Sequence, residues 1–388
     1  MKRNTRLILL LLLLLELLSG IMWGIHRGLS SLFAKDELLI TSYTQIGYIV
    51  SLFGLSKAIT NLLFGATSDK IGRKPVIVIG ILLTGIGGAI IGNSSSFVFM
   101  LLGTILVGVG GGATFVGIMV SLTEVLPLQI GLAMGLFELA AYGGSSIGTY
   151  IGGLVSLSYG IRFPFYLFII ISIISAIMCL TLLPETNTIL TSFNKPKSVF
   201  SKIIIDEFKK IIPLCVAGFS SKILDSLIIS FLPLYLLSMQ LGLTQISLVL
   251  SSFTFSWALV QPISGHISDR IGRKQITLIG LAGSSVIIWL FIGIVNYSYL
   301  VILAIFLGVG AALYYTPLVA MVSDIAPPEI EGAIIGVYRF FRDMGYFLGP
   351  IILGKIGDIY GLKYSFFLTS ITLMAACMIL YIRQKELE

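Results

Sequence analysis

One ten-residue peptide occurs twice in this chain, 200 residues apart, and each copy is wedged between two long apolar runs. Gly65-Ala66-Thr67-Ser68-Asp69-Lys70-Ile71-Gly72-Arg73-Lys74 is matched by Gly265-His266-Ile267-Ser268-Asp269-Arg270-Ile271-Gly272-Arg273-Lys274. A second match has an offset of 201: Gly135-Leu136-Phe137-Glu138, Gly144, Gly148-Thr149 and Gly153 parallel Gly336-Val337-Tyr338-Arg339, Gly345, Gly349-Pro350 and Gly354. Two matches at nearly one offset, in different apolar runs, mark a duplication. The two halves must fold alike, each with a short basic loop between apolar segments.

Composition decides what solvent those segments face. Of the 388 residues 56% are hydrophobic and only 11% charged, where a soluble domain has about a quarter charged. With a mean hydropathy of +1.03 the chain cannot cover itself in water. The net charge of +7 does not point to nucleic acid, because the basic residues recur between apolar runs and form no single patch. Cys179, Cys215 and Cys377 all lie inside apolar runs without metal-ligand spacing, so neither a disulfide framework nor a metal site is expected. Lys2, Arg3 and Arg6 before Leu7–Leu15 imitate a secretory signal, but the apolar run continues too far and is read as the first span.

A bilayer crossing takes about 20 mostly apolar residues. Twelve runs qualify, roughly 7–34, 42–66, 75–92, 97–126, 132–158, 163–183, 211–238, 243–267, 275–296, 298–326, 332–358 and 361–382. Of the 25 Lys and Arg residues, sixteen fall on the side of the two basic loops, while Lys35, Arg162, Lys355 and Lys363 fall on the other. Positive charge marks the cytoplasmic side, so both termini are expected there. The longest polar segment separates two sets of six spans. The expected organisation is an N-terminal bundle over 1–183, a cytoplasmic linker over 184–210 with an interfacial helix around Phe200–Lys210, and a C-terminal bundle over 211–388.

The loop Gly-x-x-x-Asp-(Lys/Arg)-x-Gly-Arg-Lys, present after spans two and eight, resembles the signature of the major facilitator superfamily, and the twelve-span plan agrees across essentially the whole chain. The resemblance implies an all-α membrane protein of two pseudo-symmetric six-helix bundles around a central cavity. The cavity opens alternately to each side as the bundles rock. It also implies that spans 3, 6, 9 and 12 face lipid. The charges agree, lying within spans 1, 2, 5, 7 and 11 and sparing the interiors of those four. In drug/proton antiporters of this family an arginine often stands in span 4, where this chain has Thr104.

By the same resemblance, Gly65, Gly72, Gly265 and Gly272 with Asp69, Arg73, Lys74, Asp269, Arg273 and Lys274 form a gating motif. Asp69 would latch against the start of span 11 and Asp269 against span 5, with the basic residues holding the loops in the cytosol. The intramembrane charges are the candidates for substrate binding and proton coupling. Lys222 and Asp225 share a helical face and either neutralise each other or bind substrate or protons. Arg339 and Asp343 are spaced to pair, leaving Arg342 to meet an anion or to bridge to Asp225 or Glu138. Glu138, at the repeat position of Arg339, suggests an ion pair between bundles. Lys57 and Arg27 face the same choice between partner and ligand, and Glu16 is a further protonation candidate. Lone His26 reads as an interfacial residue. Phe115, Tyr142, Trp257, Tyr314, Tyr315, Tyr338 and Tyr346 serve packing or the cavity wall.

No ATP site or catalytic set is visible: the Gly108–Gly112 run lacks a P-loop lysine, and no H-E-x-x-H occurs. The expected protein is therefore no enzyme and needs no cofactor. It is a monomeric secondary transporter of the plasma membrane, moving a small-molecule substrate by alternating access. Two readings stay open: small-molecule or drug export, with protons as the coupling partner, and uptake of an organic anion, sugar or other metabolite by symport or uniport.

Overall fold

The structure, a computed structural model, describes residues 3–127, 129–186, 202–327 and 331–383. The described residues form thirteen helices: α1 (Arg3–Asp36), α2 (Tyr43–Ile71), α3 (Arg73–Gly92), α4 (Phe97–Val125), α5 (Ile130–Tyr159), α6 (Phe163–Leu182), α7 (Lys202–Ser230), α8 (Leu232–Ser238), α9 (Leu243–Ile271), α10 (Arg273–Phe291), α11 (Tyr297–Ile325), α12 (Glu331–Tyr360) and α13 (Leu362–Arg383). α7 and α8 are two parts of one crossing, so the helices make twelve spans.

The break between α7 and α8 follows from Pro233. Proline carries no N–H and cannot bond to the carbonyl four residues earlier, which is that of Ile229. Ser31 Oγ of α1 donates to that carbonyl at 3.4 Å, so the break is also a contact between halves. Part of the expected linker differs from its reading. From Lys202 onward it is the first part of α7 rather than a separate interfacial helix, and residues 187–201 lie outside the described ones.

Nine of the described helices are long and apolar enough to cross a membrane by composition alone. α2, α5, α7 and α12 carry interior charges, and these helices line the space between the halves, where a charge faces protein and not lipid. The outer faces are apolar: Ile170, Ile173, Ile174 and Ile177 of α6 and Ile371, Met378 and Ile382 of α13 are exposed.

Within the halves, α1 packs on α5 and α7 on α12. Small residues let these pairs approach closely. A side chain at Gly144 or Gly148 would strike the backbone of Leu17 or Ile21, and one at Gly345 that of Phe219. Between the halves, α5 packs on α9 and α12 on α2. The repeated glycines serve here too, since a Cβ on Gly354 would sit 2.7 Å from Thr44 Cα.

The helices give the molecule two ends, the motif end with the two basic loops and the far end opposite. At the far end Asp358 of α12 caps the start of α2. Its carboxylate accepts from Ser42 Oγ at 2.8 Å, Tyr43 N–H at 2.6 Å and Thr44 N–H at 3.0 Å. A carboxylate there meets orphan N–H groups and the positive end of the helix dipole. Ser51 Oγ donates to Phe347 O at 2.7 Å, and Ser146 Oγ to Ser251 O at 2.9 Å. The hydrogen bonds described between the halves lie in the middle and at the far end.

Candidate functional site

A cavity of about 110 Å³ lies between the halves, on the motif side of those ties. Its wall takes Trp23 from α1, Phe53, Gly54, Lys57 and Asn61 from α2, Phe115 from α4 and Glu138 and Tyr142 from α5. The other half supplies Lys222 from α7, Tyr315 from α11 and Arg339, Arg342, Asp343 and Tyr346 from α12. Six of the nine candidate charges therefore line one space.

At its floor, Asp225 is held from both halves. Arg27 Nη2 lies 2.6 Å from Asp225 Oδ1, and Lys222 Nζ lies 3.2 Å from Asp225 Oδ2. All three are buried. The Lys222–Asp225 pair has the geometry expected from their spacing. The Arg27 partner is new: the bridge to Asp225 comes from α1 and not from Arg342. Two cations on one carboxylate leave an excess positive charge, which aromatic faces accommodate. Arg27 Cζ lies 4.6 Å from the Trp23 ring centre, and Lys222 Nζ 5.3 Å from those of Tyr315 and Tyr346.

The expected pairing on α12 is corrected. Asp343 pairs with its neighbour Arg342, Nε to Oδ1 at 2.9 Å, and not with Arg339. Tyr315 explains the choice. It accepts from Arg342 Nη1 at 3.3 Å, and its ring centre lies 5.5 Å from the guanidinium carbon, so a neighbouring helix holds Arg342 beside Asp343. Arg339 is exposed at the cavity wall, and no ion pair to Glu138 or Asp343 is described for it. Glu138 likewise has no described ion pair; its electrostatic neighbours are Arg342, Lys222, Arg339 and Lys57.

Lys57 stands between rings, its Nζ 4.7 Å from the Trp23 centre and 4.6 Å from that of Phe115. On its other side a small pocket of about 20 Å³ holds Glu16, with Ser19, Thr84 and Gly111. Glu16 is 4% exposed and its Oε2 has no hydrogen-bond partner. His26 is not interfacial. It is buried inside the first half, its Nε2 3.5 Å from Thr104 Oγ1 and its ring stacked on Phe53.

Of the aromatic candidates, Phe115, Tyr142, Tyr315 and Tyr346 line the cavity, whereas Tyr314 and Tyr338 are core. Trp257 bridges Tyr142 and Tyr315 with ring centres 4.6 and 5.5 Å away, joining the halves through stacked rings. Sequence reasoning missed Trp23 and Phe53. Their spacing from Arg27 and Lys57, four residues each, puts each on the same helix side as a charge already singled out.

The gating motif is anchored within each half. Arg73 Nε donates to Glu124 Oε1 at 3.1 Å, a buried pair, and Arg73 Nη1 donates to Ser68 Oγ. Glu185 caps α3, accepting from the N–H groups of Arg73 at 2.8 Å and Lys74 at 3.2 Å. Gly72, at φ +99°, makes room for it, since a Cβ there would lie 2.5 Å from Glu185 Oε2. Lys74 Nζ donates to Leu180 O at 2.8 Å. In the second copy Gly272 has φ +117°, and Arg273 pairs with Asp324 of α11 and with Asp269 Oδ1 at 3.1 Å. These arginines tie each loop to a neighbouring helix, beyond marking topology. The pairing described for Asp269 is inside its own motif and not with span 5. The surroundings of Gly65, the side chain of Asp69 and the latch read for it lie outside what is described. Lys274 Nζ lies 5.7 Å from the Tyr381 ring.

The sequence profile of the Major Facilitator Superfamily matches residues 12–213 and 214–388. An uncharacterized MFS-type transporter of Methanocaldococcus jannaschii is 26% identical over 352 residues, which covers 87% of this chain and 89% of that protein. Multidrug resistance protein 1 of Bacillus subtilis is 25% identical over 342 residues, covering 86% and 85%. Among solved structures, a bacterial homologue of the human lysosomal transporter Spinster, inward-facing and unoccupied, superposes with a TM-score of 0.81 at 15% identity, covering 99% and 98% of the two chains. The nucleoside transporter NupG gives 0.79 at 16% identity, covering 97% and 98%. At these identities the structures speak for the fold alone.

Proposed function

The chain belongs to the Major Facilitator Superfamily and is a multi-pass membrane transporter, and from that premise we propose that it carries one small solute at a time through the cavity between its halves by alternating access. The carrying observation is a polar cavity walled by both halves, one of whose residues, Arg339, is exposed. The halves are joined at the far end by Asp358 on the start of α2 and nearer the middle by Ser146 on Ser251. On the motif side of the cavity stands exposed Arg339. A cavity between two halves that can be reached past one wall residue is what a rocking transporter requires.

The basic loops favour a cytoplasmic motif end in the plasma membrane, with both termini on that side, so the cavity opens inward. Because one chain supplies every wall of the cavity, a monomer suffices. Relatives named as multidrug resistance proteins support export as the direction. Energy comes from a proton gradient, with Glu138 as the coupling group. Asp225 and Asp343 are each engaged by cations, whereas Glu138 lines the cavity without a described ion pair. A carboxyl so placed can gain and release a proton as its neighbours change.

Cysteine labelling tests this reading. In a background with Cys179, Cys215 and Cys377 replaced, Arg339→Cys should react with a membrane-impermeant maleimide from the cytoplasmic side only. Ser247→Cys, buried at the far end, should stay protected from both sides until turnover opens that end. Equal labelling of Arg339→Cys from both sides would mean a continuous pore and would overturn the proposal.

A further inference from the structure

The charges on the cavity wall do not balance. Lys57, Lys222, Arg339 and Arg342 face it, against Glu138 and Asp343. Asp343 is taken by Arg342, and Lys222 shares Asp225 with Arg27. Lys57 and Arg339 have no described ion pair; Glu16, in the pocket behind Lys57, is the acid nearest in effect to it, and on the cavity wall itself Glu138 faces four cations. A cationic solute seated at Glu138 would meet all four of those charges. An anion would meet them as partners, and low surrounding polarity strengthens either effect.

The hydrogen-bonding groups lean the same way. Trp23 Nε1 and Tyr346 Oη are buried on the wall without a partner. Lysine, arginine and the indole N–H only donate, and a phenol readily does. Asn61, whose Oδ1 is also unpartnered, can present either end of its amide.

Size and shape narrow the solute further. Pockets for drug-sized ligands run to about 300–1,000 Å³, whereas this cavity has about 110 Å³. One ring and one charged group fill it. The walls beside the unpaired cations are flat: Trp23, Phe115 and Tyr142.

Resting on the reading of this cavity as the transport site, we propose that its solute is a small one-ring organic anion of the aromatic carboxylate class. The anionic group faces Lys57 and Arg339, and the ring lies along Trp23 and Tyr142. Lys222 stays with Asp225, whose bond to Arg27 joins the halves.

Intrinsic fluorescence provides the test. The chain has three tryptophans; Trp23 lines the cavity, Trp257 stacks on Tyr142 of its wall, and Trp289 is exposed on the lipid face. The full-length Trp289→Phe protein therefore reports on the cavity. It is titrated with benzoate, benzyl alcohol and benzylammonium, which share a ring and differ in charge. Benzoate should bind at least about tenfold more tightly than either, a difference of about 1.4 kcal/mol. Lys57→Gln and Arg339→Gln should each weaken benzoate at least about tenfold and leave benzyl alcohol unchanged, and Lys57→Arg and Arg339→Lys should restore most of the loss. No response to benzoate, benzylammonium binding as tightly, or benzoate affinity untouched in both Gln variants would overturn the proposal. If the Gln variants do not fold, the ranking of the three probes decides. Uptake of labelled probes into liposomes separates this inference from the one beneath it. Binding of benzoate without movement of any probe would sink transport and leave the ligand class standing. Movement of benzylammonium in preference to benzoate would do the reverse.

Discussion

The two copies of the basic loop are nearly the same peptide, yet they are not the same structure. In the first half Arg73 and Glu124 form a pair with side chains 8% and 5% exposed, and Glu185 closes over the start of α3. In the second half the equivalent pair, Arg273 with Asp324, is 30% and 58% exposed. The residue at the repeat position of Glu185 is Glu386, outside the described residues. The same asymmetry recurs at the far end. Asp358 of α12 caps α2 across the interface, while the repeat position in α5 is Leu157, exposed and unable to do so. Duplication repeats the backbone plan; later changes at single positions decide which copy holds an interaction in water and which holds it in protein.

The contrast can be tested at three points, taken from the largest effect. At the cavity, the repeat positions carry Glu138 and Arg339. Glu138→Gln should abolish pH-gradient-driven accumulation, in liposomes, of whichever of benzoate or ethidium the wild-type protein moves, while Arg339→Gln should keep the coupling and weaken binding. Undiminished accumulation in Glu138→Gln would end its role as coupling group. At the motif end, Glu124→Gln takes the charge from a buried hydrogen-bonded partner of Arg73 and should cost about 1.5–3 kcal/mol, read as a clear drop in melting temperature. Asp324→Asn, the exposed counterpart, should cost about 0–1 kcal/mol. Equal drops would mean that burial does not separate the two loops. At the far end, Asp358→Asn loses the charge on three hydrogen bonds, each to a charged group worth about 1.5–3 kcal/mol and only partly lost. Cysteines placed near Thr44 should then label faster from the far side; unchanged labelling would show that α5 and α9 keep that end shut alone.

Much of the architecture was legible before any coordinates. Twelve spans, two halves and the sparing of spans 3, 6, 9 and 12 follow from how costly a charge or an unpaired backbone group is in hydrocarbon. That cost acts on every residue of a span, so it leaves a pattern along the whole chain. The candidate site was legible in part, for the same reason: the charges inside spans were known to need a cavity or a partner, and most of them share one cavity.

Who pairs with whom was not legible. Arg339 and Asp343 have helical spacing for a pair, yet Tyr315 from another helix holds Arg342 against Asp343 instead. Arg27 finds Asp225 at a separation of 198 residues, and Asp358 reaches Ser42 over 316. Glu124 and Glu185 gave no signal, because a lone carboxylate near a helix end reads as surface until its neighbour is known. The gap between Lys57, Arg339 and Glu138 was likewise hidden, since a count of interior charges comes near balance while the count on the cavity wall does not.

By itself the sequence determined that this chain crosses a membrane many times, as two related halves around a polar interior, because solvation acts on each segment without reference to the rest. Only the tertiary structure decided which charges neutralise each other and which face the cavity. Ion pairing falls off within a few ångströms, and which side chains come that close depends on how twelve spans cross, a property no single segment carries.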